Sequence, residues 1–97
     1  MAGFRLTVRA EADVEAIHEY SILNFGLERA GAYFDSLFAR FVLLADYPGL
    51  GHDYGHIAPG LRRLEQVSHS IYYTRRDDGD VLILRILGQG QDPLRHL

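Results

Sequence analysis

A single glycine separates two helical patterns in this chain, and that junction limits the available folds more than any other feature. "AEADVEAIHEYSILNFG", residues 10–26, puts Val14, Ile17, Tyr20 and Ser21 on one stripe. Its first turns carry Glu11, Asp13 and Glu15, where the helix dipole favours negative charge. "LERAGAYFDSLFARFVLLADYP", residues 27–48, repeats Ala30, Tyr33, Phe34, Leu37, Phe38, Phe41, Leu44 and Ala45 at helical spacing until Pro48 ends it. Gly26 is the residue type that stops a helix. With one residue between them, the two helices are expected to form an antiparallel hairpin. Gly31 falls inside the second helix with no reason evident in the sequence. Val42 and Leu43 lie off the main stripe, so that helix ends apolar nearly all round and is either deeply buried or covered by a partner.

Strands flank the hairpin. "FRLTVR" alternates, with Phe4, Leu6 and Val8 on one side and Arg5, Thr7 and Arg9 on the other, which predicts a half-buried strand. After a loop by composition, "PGLGHDYGHIAPG", three strand patterns follow: "LRRLEQV", "HSIYYTRR" and "DVLILRIL". "DDGD" joins the last two as a hairpin turn, and the first two meet near Ser68. The third pattern is apolar on both faces, as a central strand is. The predicted order is β-α-α-β-β-β, and the fold class is α+β: an N-terminal helical hairpin packed on one antiparallel sheet.

At 97 residues the chain is expected to form a single domain over residues 1–97. Six Tyr and five Phe supply a core, and the net charge of −3 disfavours wholesale nucleic-acid binding. All ten cationic side chains are Arg. The absence of cysteine removes disulfides, thiol catalysis and Cys-ligated zinc. "MAGFRLTVRAEAD" has no apolar signal-peptide core and no run approaches the ~20 residues of a membrane span. A cytoplasmic protein without membrane contact is expected, with no cofactor.

Several residues invite a chemical reading. Arg85 shares a face with Val81, Ile83 and Leu87 in the alternation of the last strand, so it either binds an anion or pairs with a carboxylate such as Glu65. Arg62 and Arg63 are adjacent, so at most one of them joins Arg85 on its face. His69, Glu65 and an Arg supply a base, an acid and a phosphate clamp, the parts of a metal-free ribonuclease, although such residues meet by chance on many sheets. His52 and His56 have a metal-ligand spacing but sit in a loop between glycines without a third ligand, which favours plain surface histidines over a metal site. Gly88-Gln89-Gly90 lacks the third glycine of a dinucleotide fingerprint. It reads as a strand exit, followed by Asp92 as N-cap and Pro93 at N1 of a terminal turn.

Taken together, "LTVRAEADVEAIHEY", "FGLERAGAYFDSLFARFVLLADYPGLG", "PGLRRLEQVSHSIYYTRR" and "VLILRILGQGQDPLRHL" resemble the ParE branch of the RelE/ParE toxin superfamily over essentially the whole length. The resemblance implies the toxin component of a type II toxin–antitoxin module, neutralised by a ParD-like antitoxin that packs on the hairpin and the sheet. Tyr33, Leu37, Phe41, Val42, Leu43 and Tyr47 are the residues expected to meet it. The resemblance also implies inhibition of DNA gyrase rather than catalysis, with Arg62, Arg85, Gln89, Gln91 and Arg95 as the expected contact region and no sequence-specific DNA binding by this chain. Two alternatives remain at this point. One is a ribosome-dependent messenger RNA endoribonuclease of RelE type, using Arg62, Glu65, His69 and Arg85. The other is an inactive relative that only binds antitoxin. Against the ribonuclease, no Tyr follows Tyr73, and Gly88 stands where many relatives place a His; Gln91 likewise replaces the usual Met.

Overall fold

In the computed structural model, which describes residues 3–97, the elements run β1 (Phe4–Leu6), α1 (Val8–Asp46), β2 (His52–Asp53), β3 (Arg62–Gln66), β4 (His69–Arg75), β5 (Val81–Gly88) and α2 (Pro93–His96). The five strands form one sheet in the order β1-β5-β4-β3-β2. The sheet is mixed rather than purely antiparallel. β1 lies parallel to β5, with Phe4 opposite Val81 and Leu6 opposite Ile83, while the other pairs are antiparallel. The long crossover through α1 and the β3–β4 hairpin returns the chain beside its own first strand, and such a crossover is what a parallel pair requires.

β1 is shorter than its alternation suggests because Thr7 leaves the strand to cap the helix. The Thr7 hydroxyl accepts from the Ala10 amide at 3.0 Å and donates to the Leu84 carbonyl at 2.8 Å, so it satisfies a free helix donor and ties the cap to the sheet. Val8 consequently enters the helix and is exposed, not inward with Phe4 and Leu6.

α1 is broken at Gly26, whose φ of 86° and ψ of 168° belong to a region that is essentially glycine's alone. The two arms fold back on each other as the spacing predicts. Val14, Ile17 and Ser21 of the first arm face Ala30, Phe34 and Leu37 of the second, and the His18 and Phe34 rings lie 5.5 Å apart. The hairpin covers one face of the sheet. Val14, Leu37, Phe41 and Leu44 meet Ile71, Tyr73, Ile83 and Ile86 there in the main core. Gly31 has open space around it, and nothing in the structure accounts for it.

A bulge redirects the central strand. Tyr72 lies opposite Arg85 but Tyr73 lies opposite Ile83, so Leu84 has no counterpart on β4. The extra residue switches the alternation. Val81, Ile83 and Ile86 all serve the helix side, while Leu84 and Leu87 join Leu61 and Tyr72 in a second cluster on the opposite, open face. Tyr54, Ile57 and Ala58 of the loop after β2 fold over that second cluster. The loop before it is anchored by Tyr73, whose hydroxyl donates to the Pro48 carbonyl at 2.7 Å and accepts from the Gly51 amide at 2.8 Å. A Cβ at residue 51 would come within 2.6 Å of that hydroxyl and 2.8 Å of the Arg63 carbonyl, so only glycine fits. Among the described residues, no helix is long and apolar enough to cross a membrane.

Candidate functional site

The bulge decides where Arg85 goes. It sits on the open face with Leu87 and not, as simple alternation implied, with Val81 and Ile83. Its partner is Asp13 on the first arm of the hairpin, not Glu65. Arg85 Nε donates to Asp13 Oδ2 at 2.8 Å and Nη2 to Oδ1 at 2.9 Å, a bidentate pair. Asp13 Oδ2 also accepts from the Ile86 amide at 2.9 Å, and Arg85 Nη1 donates to the His96 carbonyl at 2.8 Å. The two side chains retain only 12% and 15% exposure. The Asp13 carboxylate holds the Arg85 guanidinium above its ordinary value against the opposing effect of burial. Arg85 therefore staples helix, sheet and C-terminal turn together, with each of its three nitrogens already donating inside the chain. Asp13 is the residue that reading the sequence missed as a partner. It precedes Val14 beside the buried stripe, and a carboxylate at such a place needs a cation.

Arg63, not Arg62, joins Arg85 on the open face, since Arg63 and Arg85 both lie opposite Tyr72 on its two flanking strands. Arg63 is also committed: Nε donates to Ser70 Oγ at 3.0 Å, Nη1 to Tyr54 Oη at 2.8 Å, and Nη2 lies 2.9 Å from Glu65 Oε1. Burial pushes the Tyr72 phenol up, with the Arg63 charge opposing. Arg62 lies opposite Tyr73 on the helix side, where Nη1 donates to the Gly51 carbonyl at 2.7 Å.

The acid–base set considered above is split by the same parity. Glu65 lies opposite Ser70 on the open face; His69, one residue earlier, belongs with Ile71 on the helix side. There His69 Nδ1 lies 2.7 Å from Tyr33 Oη, whose own proton goes to the Gln66 carbonyl at 2.9 Å. A hydroxyl has one proton to give, so with that proton on the Gln66 carbonyl Nδ1 is the donor in this pair. Burial pushes His69 below its ordinary value of 6.5 and so favours the neutral ring with its proton on Nδ1. Gln66, the strand residue beneath this pair, is buried and fully engaged: Arg40 Nε donates to its Oε1 at 2.8 Å, and its Nε2 donates to Ser36 Oγ.

The glycine segment at the chain end is closed by its own residues. The Gly88 amide donates to Gln91 Oε1 at 2.7 Å, and Asp92 Oδ1 accepts from the Leu94 amide at 2.9 Å to cap α2, which starts at Pro93. The strand exit and capped turn expected from the sequence are therefore present, and the amides of Gly88 and of Leu94 at the helix start are taken by Gln91 and Asp92. His52 lies in β2 and His56 in the loop beyond it, so their i, i+4 spacing does not put them on one helix face.

The five expected target-contact residues do not converge. Arg62 is on the helix side and Arg85 is sequestered, while Gln89, Gln91 and Arg95 are exposed around the C-terminal turn. The six expected antitoxin contacts also divide. Leu37 and Phe41 are interior core and out of reach of a partner, because the helical stripe that made them conspicuous is the stripe that packs on the sheet. Tyr33 and Leu43 are half-buried; Val42 at 51% and Tyr47 at 63% exposure face outward.

Comparison with known proteins places this architecture. The family model described as "ParE toxin of type II toxin-antitoxin system, parDE" matches residues 4–93. The chain is 35% identical to Toxin ParE1 of Caulobacter vibrioides, with 100% of this chain and 99% of that protein aligned. It is 29% identical to Toxin ParE1 of Mycobacterium tuberculosis strain H37Rv, over 97% of this chain and 96% of that protein. A chain from a structure of a chromosomal ParDE TA system from P. aeruginosa shares the fold with a TM-score of 0.76 at 24% identity, covering 91% of this chain and 96% of its own. Helical hairpin, mixed sheet and sequence agree, and the chain belongs to the ParE toxins of type II toxin–antitoxin systems.

Proposed function

We propose that this ParE-family toxin is neutralised by a ParD-like antitoxin and acts by inhibiting DNA gyrase through surface contacts rather than by cutting RNA. The observation that carries the non-catalytic reading is that Arg63 and Arg85, the cations the open-face strands supply, are already committed within the chain. Arg63 is held by Tyr54, Ser70 and Glu65, and Arg85 by Asp13 and the His96 carbonyl. A phosphate clamp needs donors aimed at the space where charge develops. The groups of the ribonuclease reading alternate in register, Glu65 on the open face and His69 on the helix side, and they meet Arg63 only around a small hollow of ≈ 60 Å³ at the β3–β4 turn, where His69 Nδ1 is held by Tyr33. Membership of the ParE family supports gyrase as the target. Exposed Gln89 and Arg95 beside α2 are the contacts retained in this proposal.

A supercoiling assay tests it. Purified toxin in excess should abolish supercoiling by gyrase or trap its cleavage complex, and pre-mixing with the antitoxin should restore activity. Unchanged supercoiling, together with new messenger 5′ ends after induction, would transfer the protein to the ribonuclease reading. For the antitoxin, the proposed seat is the outward side of the second arm, centred on Val42 and Tyr47 and continued by Phe38 and Leu50, which are also partly exposed.

A further inference from the structure

A hollow of ≈ 380 Å³ opens between the closed end of the helical hairpin, near Gly26, and the β3–β4 turn, away from the C-terminal turn and from Val42 and Tyr47. Its size falls in the range of small-molecule sites. Tyr20, Phe25 and Val67 wall it with apolar surface, and no carboxylate lines it. Its polar lining includes Arg29, Ser68 and His69. Among the described residues Arg29 has no ion-pair partner. His69 Nδ1 is committed to Tyr33, which leaves Nε2 as the ring atom for an outside group. No buried side-chain polar atom among the described residues lacks a partner, so Nε2 reaches open space.

Val67 adds a second line of argument. It occupies the tight turn between Gln66 and His69 with a φ of 54°, a conformation that suits glycine or asparagine and is an outlier for a β-branched residue. It is also 81% exposed. A strained backbone and an uncovered apolar side chain are both unfavourable in the free protein, and strain of this kind clusters at ligand clamps.

We propose that this hollow is a binding site for a small amphipathic carboxylate, an aliphatic or aryl acid, with its apolar body between Tyr20, Phe25 and Val67 and its anionic head on Arg29. Charge complementarity makes the choice. One guanidinium without an ion-pair partner, at an apolar recess that no carboxylate lines, favours an anion over a neutral or cationic ligand.

Octanoate titrated into isotope-labelled toxin, followed by amide and imidazole resonances, tests the site. Saturable shifts confined to residues lining the hollow, including His69, are expected, with octanol binding at least about tenfold more weakly because it lacks the charge. Arg29→Glu and the milder Arg29→Gln should each weaken octanoate binding about tenfold. Arg95→Glu, which removes a cation elsewhere on the surface, should change it less than about twofold. Circular dichroism checks that each variant folds. Equal binding of octanol and octanoate, equal effects of the Arg29 and Arg95 variants, or shifts centred elsewhere would each overturn the proposal.

Discussion

Asp13 and Arg85 show how much one pair of side chains holds together in a chain of this size. Each is nearly sequestered, and the carboxylate also accepts the Ile86 amide next to the bulge. Removing one partner leaves a buried charge uncompensated, which is far more damaging than losing a surface pair. Asp13→Ala is expected to lower stability by about 3–5 kcal/mol in urea denaturation. Arg5 with Asp80, at 3.6 Å and with the arginine 59% exposed, is the contrasting surface pair, and Arg5→Ala should change stability by less than about 1 kcal/mol. His69 contributes differently. Its pKa is depressed in the folded protein, so the unfolded chain binds more protons near the ordinary value of 6.5. Stability therefore rises with pH through that window. The contribution is complete above about 6.5 and is lost as pH falls through the folded value. Urea midpoints measured from pH 7.5 down to 5 should decline more for the wild type than for His69→Gln, and parallel curves would show that His69 is not the group responsible.

At the scale of elements, the hairpin depends on Gly26 and the open face depends on the bulge. At φ 86° and ψ 168° a Cβ is strained even though nothing lies within 4 Å of it, so the restriction on Gly26 is backbone conformation and not crowding. Gly26→Ala is expected to destabilise the toxin by about 1–3 kcal/mol in thermal or urea unfolding. It also favours a continuous helix through residue 26, which would separate the arms, so size-exclusion chromatography should show a dimer formed by exchanged arms. The bulge at Leu84 acts on a second element. It keeps Ile86 in the helix-side core while turning Arg85 and Leu87 to the open face, a switch that period-2 patterning does not anticipate.

For the whole molecule, the question is which apolar surface is interior and which is offered to a partner. Phe41 is fully buried between hairpin and sheet, whereas its neighbour Val42 is half-exposed on the outer side. Phe41→Ala should cost about 3–5 kcal/mol of stability. Val42→Asp should leave unfolding nearly unchanged and weaken the complex with antitoxin, measured by calorimetry, more than charge reversal at Arg62 does. Normal affinity for Val42→Asp would move the antitoxin seat elsewhere. The helices, their glycine junction, the β3–β4–β5 run, the Asp92 cap and the resemblance to ParE toxins were all legible in the residues, because each rests on local spacing or on residue types with one strong conformational preference. The parallel placement of β1, the switch of Arg85 to the opposite face, its pairing with Asp13 and the separation of Glu65 from His69 were not. Those depend on contacts between residues as far as 77 positions apart and on one inserted residue in a strand. Local pattern determines which segments become helix and strand. Only the packed structure decides which charges meet, because a charge in a folded chain goes where desolvation can be offset, and that place is defined by elements that are distant in sequence.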